Sequence, residues 1–265
     1  MAKPFEYGAG SVVSADIAVP QHMEAVAFYS SVLGTGDHPL WREDLMNSRG
    51  TPIIGVGKRT PEYAHLPLQW MPHIQVADVA ASVESALARG GRELMHSQDE
   101  GGTSEWAVLL DPDGAAFGLI PVVSPLDMPP PDPAQASDDT KPVGRISWLD
   151  LTVPDAEAAR DFYEEVVGWS ARDVQMEDAE GSYFDYAFST SDGTSVAGVC
   201  HARGVNRDLP ATWMIYLPVG DLVASLDRVA ERSGEVIHTK LGGDGEHSYA
   251  VVRDPAGAYV GLVPG

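Results

Sequence analysis

Apolar residues in this chain follow two alternating rhythms, and both recur. ADIAVP from Ala15 and LDLTVP from Leu149 alternate residue by residue, as strands with one buried face do, and each ends at a proline. A helical spacing then takes over. Ala25, Phe28, Tyr29, Val32 and Leu33 mark one apolar stripe, and Ala159, Phe162, Tyr163 and Val166 mark its counterpart. Gly34 and Gly168 stand where these helices should stop. A second pair of segments follows the same order. QWMPHIQVADVAASVESALARGG begins at Gln69 and TWMIYLPVGDLVASLDRVAERSG at Thr212, so that Trp70 matches Trp213 and Asp78 matches Asp221. Both aspartates stand where a helix N-cap belongs. Further on, DPDGAAFGLI from Asp111 matches DPAGAYVGLV from Asp254, each a tight turn between two strands.

The pattern predicts four modules, 1 matching 3 and 2 matching 4, each with one strand, one helix and about three further strands. Between modules 2 and 3 lies SPLDMPPPDPAQASDDTKP, Ser124 to Pro142, rich in Pro and Asp and poor in apolar residues. Such a segment reads as a solvated, semi-rigid linker. The expected organisation is a first domain over 1–123, a linker over 124–142 and a second domain over 143–265.

Composition narrows the partners. The chain has 265 residues, 44% of them hydrophobic, enough for a packed core. Its formal charge of −22 repels phosphate backbones and anionic lipid, so neither nucleic acid nor a membrane surface is expected as a partner. Cys200 is the only cysteine, which rules out an internal disulfide and fits a reducing cytoplasm. In the strand-like VAGVC it reads as a small core residue. MAKPFEYGAG has no apolar run of the kind a secretory signal needs, and no stretch has the length of a membrane span.

The fourfold layout resembles the vicinal oxygen chelate superfamily of glyoxalase I, bleomycin-resistance proteins, fosfomycin-resistance enzymes and extradiol dioxygenases. The resemblance is carried by FYSSVLG at Phe28, FYEEVVG at Phe162 and the DPDGAAFGL and DPAGAYVGL hairpins, and it covers the chain outside the linker. It is similar above all to a two-domain glyoxalase-like group of actinobacteria labelled hydroxylases, through Trp148-Leu149-Asp150-Leu151 and Val196-Ala197-Gly198. The resemblance implies an α+β fold of four βαβββ modules paired into two domains, each a cupped mixed sheet that holds the ligand. It also implies where a metal would bind: a His or Glu on each first strand, and a Glu on the strand after the DPDG-type turn. Those positions hold Ser14, Met71, Trp148 and Met214 on the first strands, and Gly118 and Gly261 on the last. The corresponding strand ends of modules 1 and 3 hold Gly55 and Gly198. None of these suits a hard divalent ion, so neither a metal nor any other cofactor is expected. His22 begins a helix, and His38, His65, His96, His201, His238 and His247 are expected in loops or at strand ends, without paired ligand spacing.

Strand alternation places Asp16, His73, Asp150 and Tyr216 on the same faces as the metal positions. The pseudo-twofold of each cup is expected to bring Asp16 toward His73 and Asp150 toward Tyr216. Either set suits proton transfer, with an Asp fixing an imidazole tautomer or a Tyr hydroxyl polarising a carbonyl. The bland alternative is a satisfied polar pair that fixes the sheet. Ser14, Met71, Trp148, Met214, Gly118, Tyr259 and Gly261 are the expected ligand-binding surface, mostly soft and apolar, while Trp70 and Trp213 alternate toward the core. Two functions follow. One is a cytoplasmic, metal-independent enzyme that isomerises, cyclises or opens the epoxide of a small, partly apolar carbonyl- or phenol-bearing metabolite. The other is a non-catalytic protein that sequesters a small molecule. Because four modules already supply two cups, a monomer is expected.

Overall fold

The computed structural model describes residues 8–35, 44–46, 52–124, 146–243 and 245–265. The linker beyond Ser124 and His38 lie outside the described residues. Module 1 consists of β1 (Val12–Val19), α1 (His22–Leu33), β2 (Asp44–Met46) and β3 (Pro52–Lys58). Module 2 runs β4 (Met71–Val76), α2 (Val79–Ala88), β5 (Arg92–Gln98), β6 (Ser104–Leu110) and β7 (Ala116–Pro121). Module 3 is β8 (Trp148–Val153), α3 (Ala156–Val167), β9 (Ser170–Asp178), β10 (Gly181–Ser189) and β11 (Ser195–His201). Module 4 is β12 (Trp213–Val219), α4 (Leu222–Glu231), β13 (Glu235–Leu241), β14 (His247–Arg253) and β15 (Tyr259–Pro264). The strands form two mixed sheets, with orders β2-β3-β1-β4-β7-β6-β5 and β13-β14-β15-β12-β8-β11-β10-β9. This is the α+β arrangement that the resemblance implies. Two histidines depart from expectation: His96 and His238 lie inside β5 and β13 rather than at strand ends or in loops.

Local chemistry explains the helix limits. Asp78, Asp155 and Asp221 each accept a hydrogen bond from a backbone N–H of the first turn, those of Ala81, Ala158 and Ala224, all at 3.0 Å. These bonds satisfy donors that a helix start otherwise leaves without a partner. Helix α1 has no side-chain cap of this kind. Replacing Asp155 or Asp221 by alanine should cost about 1 kcal/mol each in denaturant unfolding; an unchanged midpoint would show the caps to be ornamental. At the other end, Gly34 and Gly168 adopt the left-handed conformation, with φ of 64° and 81°.

The described residues form two compact units. The first comprises the described parts of Met1–Val13, Met71–Pro125 and Trp148–Trp213; the second comprises those of Ser14–Trp70, Leu126–Ser147 and Met214–Gly265. In the first, α2 packs on α3, and in the second, α1 packs on α4. Each unit is closed by the same lock. In the first, Tyr163 of the helical FY pair donates to Asp111 Oδ2 at 3.0 Å and accepts from Trp213 Nε1 at 2.9 Å. In the second, Tyr29 donates to Asp254 Oδ2 at 2.7 Å and meets Trp70 edge to face at 5.2 Å between centroids. The turn aspartates also hold their own hairpins: Asp111 Oδ1 accepts from Asp113 N and Ala115 N, and Asp254 Oδ1 from Ala258 N. Trp70 and Trp213 are both 1% exposed, so they are core residues as their strand parity predicts. Burial pushes both tyrosine hydroxyls well above their ordinary range, and the facing aspartate adds to it. Burial also raises Asp254, and it pushes Asp111 up to about 6.

Candidate functional site

On each first strand one set of alternate residues is apolar and buried, as at Ile17, Ile74, Leu151 and Ile215, and the opposite set carries the polar residues. The register gives those polar residues a common seat. Asp16 pairs with Gly55 across β1 and β3, and His73 with Gly118 across β4 and β7. Asp150 pairs with Gly198 across β8 and β11, and Tyr216 with Gly261 across β12 and β15. The seat is close. A Cβ built on Gly118 would stand 2.8 Å from His73 Cδ2, and one on Gly261 would stand 2.6 Å from Tyr216 Cε1. One on Gly198 would overlap Asp150 Oδ1. At these glycines the neighbouring strand's polar side chain occupies the space that a larger residue would need.

Asp16 and Tyr216 belong to the second compact unit, and His73 and Asp150 to the first. Met71 and Met214 are buried, 5% and 3% exposed, while Ser14, Trp148 and Tyr259 are part-buried. Trp148 Nε1 donates to Asp150 Oδ1 at 2.9 Å, so the indole and carboxylate form one polar group on β8. On β12 the Tyr216 ring meets Tyr249 edge to face at 6.0 Å, and Tyr249 meets His238 at 5.8 Å.

The structure adds a cluster that strand parity on a single strand does not reveal. In β10, Tyr186 and Phe188 point toward α3, where Arg160 lies over the Tyr186 ring and Tyr163 meets Phe188. Tyr183 and Asp185 are therefore on the other face. Antiparallel pairing of β10 with β11 brings Asp185 beside Cys200 and His201. His201 N donates to Asp185 Oδ1 at 2.8 Å, and His201 Nδ1 lies 3.3 Å from the same oxygen. Tyr183 stands edge to face with His201 at 5.7 Å and carries Arg203 over its ring at 4.2 Å. Arg203 is in turn gripped by both oxygens of Asp178, at 3.0 and 2.9 Å, which holds Asp178 below the usual carboxylate range. Burial, then the Asp150 and Asp185 carboxylates, push the Cys200 thiol far up, which disfavours the thiolate. The clue in the sequence is the alternation of Tyr183 and Asp185 against GVCH, legible only once β10 and β11 are paired in register.

A metal of the implied kind does not fit these residues. The positions on the first strands are Ser, Met, Trp and Met, and the seats opposite hold glycine. Among the described residues, no three His, Cys, Asp or Glu side chains converge so as to hold a metal ion. A separate cavity of about 700 Å³ at the start of α4, lined among others by Asp221, Gly242, Glu246 and His247, contains none of the sequence-predicted site residues. No helix among the described residues is long and apolar enough to cross a membrane.

Two family models match the chain in succession. Residues 12–120 match the glyoxalase-like domain, and residues 145–262 match the glyoxalase/bleomycin resistance protein/dioxygenase superfamily. The chain belongs to this superfamily. Its members of similar sequence include CFP32 of Mycobacterium tuberculosis, which bears the name of a glyoxylase and is 27% identical over 97% of this chain and 96% of its own length. The anthracycline biosynthesis protein DnrV of Streptomyces peucetius is 36% identical over 43% of this chain and 45% of its own length. Among solved structures, a variant of homoprotocatechuate 2,3-dioxygenase from Brevibacterium fuscum superposes with a TM-score of 0.59 at 12% identity, over 98% of this chain and 72% of that one. 4-Hydroxymandelate synthase from Streptomyces coelicolor, as a mutant, gives 0.54 at 14% identity, over 98% and 93%. At these identities the superpositions establish the shared fold of this superfamily.

Proposed function

We infer that the protein binds a small, partly apolar metabolite bearing a carbonyl or phenol and, without a metal, moves a proton on it. The observation that carries this reading is the repeated seat: four acid–base side chains, each on a regular strand and each registered against a glycine. Rigid strands hold such groups where a proton-transfer step needs them. His73 is the base in this reading, since an imidazole nitrogen can take up a proton from a ligand held beside it. In the same unit Asp150 serves as an acceptor that orients the ligand; in the other unit Tyr216 supplies a hydroxyl that can donate to a carbonyl or enolate oxygen, and Asp16 is the acceptor. The partial likeness to DnrV favours a polycyclic aromatic ligand of the kind that natural-product pathways handle.

A bicyclic aryl ketone, 2-tetralone, tests the step directly. In D2O its α-protons exchange for deuterium, and proton NMR reads the rate. The protein should accelerate exchange, and His73→Phe should lower that acceleration by about 100-fold or more while tetralone still binds. Binding without acceleration in the wild-type chain would sink the catalytic reading. It would favour the second one, sequestration, which the satisfied Trp148–Asp150 pair supports by occupying a carboxylate with a structural donor.

A further inference from the structure

Asp185 poses a problem that the proposed chemistry leaves unsolved. It is 3% exposed, yet its Oδ2 has no hydrogen-bond partner among the described residues. A buried carboxylate oxygen without a partner is costly, and native structures seldom keep one without reason. Its other oxygen is already engaged by His201 N–H and stands near His201 Nδ1. The Cys200 thiol leans on the same carboxylate, but a thiol is a weak donor and leaves Oδ2 unsatisfied.

The surroundings specify the missing donor. Asp185 lies on the face of β10 and β11 turned away from α3, and Asp150 acts on the same thiol from β8, two strands over. Asp185 and Asp150 thus place two carboxyl groups on one small patch of sheet. Arg203, the cation at the end of β11, is taken up by Asp178 and the Tyr183 ring. Trp148 and Tyr183 flank the patch with aromatic side chains, which suit the apolar body of an organic cation better than a hydrated inorganic one. Among the described residues, these side chains do not converge as a metal site would.

We propose that this face of module 3 binds a protonated amine on an aromatic or alicyclic body. An ammonium N–H donates to Asp185 Oδ2, Asp150 balances the charge, and Trp148 and Tyr183 contact the apolar part. The proposal rests on the reading that these sheet faces receive small molecules, and it adds the chemical class of ligand that this one selects.

Tyramine and its neutral counterpart, 4-hydroxyphenethyl alcohol, differ only in the amine and serve as probes. Each is titrated into the full-length 15N-labelled protein, with the amides of His201, Cys200 and Asp185 as reporters. Tyramine should bind about tenfold or more tightly than the alcohol and should shift the His201 amide, whose N–H is already bonded to Asp185. Asp185→Asn should bring tyramine down to the affinity of the alcohol. Because the comparison is made first in the wild-type chain, it stands even where the variant is unstable. Equal affinity of the two probes overturns the amine assignment and leaves ligand binding at this face intact. A preference that survives in a folded Asp185→Asn protein overturns the role of that carboxylate. Absence of any shift with either probe overturns the proposal outright, whereas the tetralone experiment judges the proton-transfer reading on its own.

Discussion

Asp111→Ala is expected to lower the unfolding free energy by about 4 kcal/mol, a large share of what holds a domain of this size together. The reason lies in the donors that this carboxylate satisfies. Asp111 Oδ1 accepts from Asp113 N and Ala115 N, and Oδ2 accepts from the Tyr163 hydroxyl. Asp111 is 4% exposed and Tyr163 and Ala115 are fully buried, so water cannot replace the lost acceptor. Each buried donor left without a partner costs roughly 1–3 kcal/mol. Asp111→Asn should be far milder, because the amide oxygen keeps both backbone bonds. The two variants also differ in pH dependence. Burial raises the folded carboxyl from 3.8 to about 6. A raised folded value means the folded state holds its proton over a range in which the unfolded chain has released it. The resulting stabilisation is fully present below pH 3.8 and is lost as pH rises through about 6. That loss amounts to about 3 kcal/mol for this group. Urea unfolding at intervals from about pH 4.5 to about 7.5 should therefore show wild-type stability falling with rising pH, and a flatter profile in Asp111→Asn. Parallel profiles would show that the carboxylate is ionised in both states throughout, contrary to its burial. Asp254 repeats the arrangement with Tyr29 in the other unit, so its asparagine variant should flatten the profile in the same direction.

Gly261→Val is the second large effect, a loss of about 3 kcal/mol from overpacking. The glycine lies in β15 opposite Tyr216, and a Cβ there would stand 2.6 Å from Tyr216 Cε1. The ring cannot swing aside cheaply, because its near atoms as well as its far ones are in the way, and Tyr249 meets it edge to face. A double substitution separates this cause from a general intolerance of β-branching. Tyr216→Ala removes the obstacle, so the combined variant should be about 1.5 kcal/mol or more above the stability that the sum of the two single losses gives. Additive losses would mean that the ring and the glycine are not coupled. The same geometry bears on chemistry, since a glutamate introduced at 261 to imitate a metal-binding relative would meet the tyrosine before it met an ion.

Much of the architecture was legible in the order of residues. Alternation and helical spacing are local properties, so the strand at Ala15, the stripe from Ala25 to Leu33, the stops at Gly34 and Gly168 and the caps at Asp78 and Asp221 all follow from neighbours in the chain. The internal repeat then ordered local elements into four modules, because a motif written twice must have two similar environments, and the family resemblance supplied the fold. The parity of a strand also sent Trp70 and Trp213 to the core, a choice that needs no partner strand.

What the tertiary structure alone decided was everything that depends on a second strand or a distant segment. The repeat could not say that Tyr29 would find Asp254 or that Tyr163 would find Asp111, because hydrogen bonds between residues far apart leave no local trace. Nor could parity say what fills the space at Gly118, Gly198 and Gly261, since that depends on register between strands, where His73, Asp150 and Tyr216 proved to be the occupants. Asp185 escaped notice for the same reason. Along β10 it is one polar residue in an alternating run. Only pairing with β11 sets it against His201 and Cys200, buries it, and leaves one of its oxygens without a donor among the described residues.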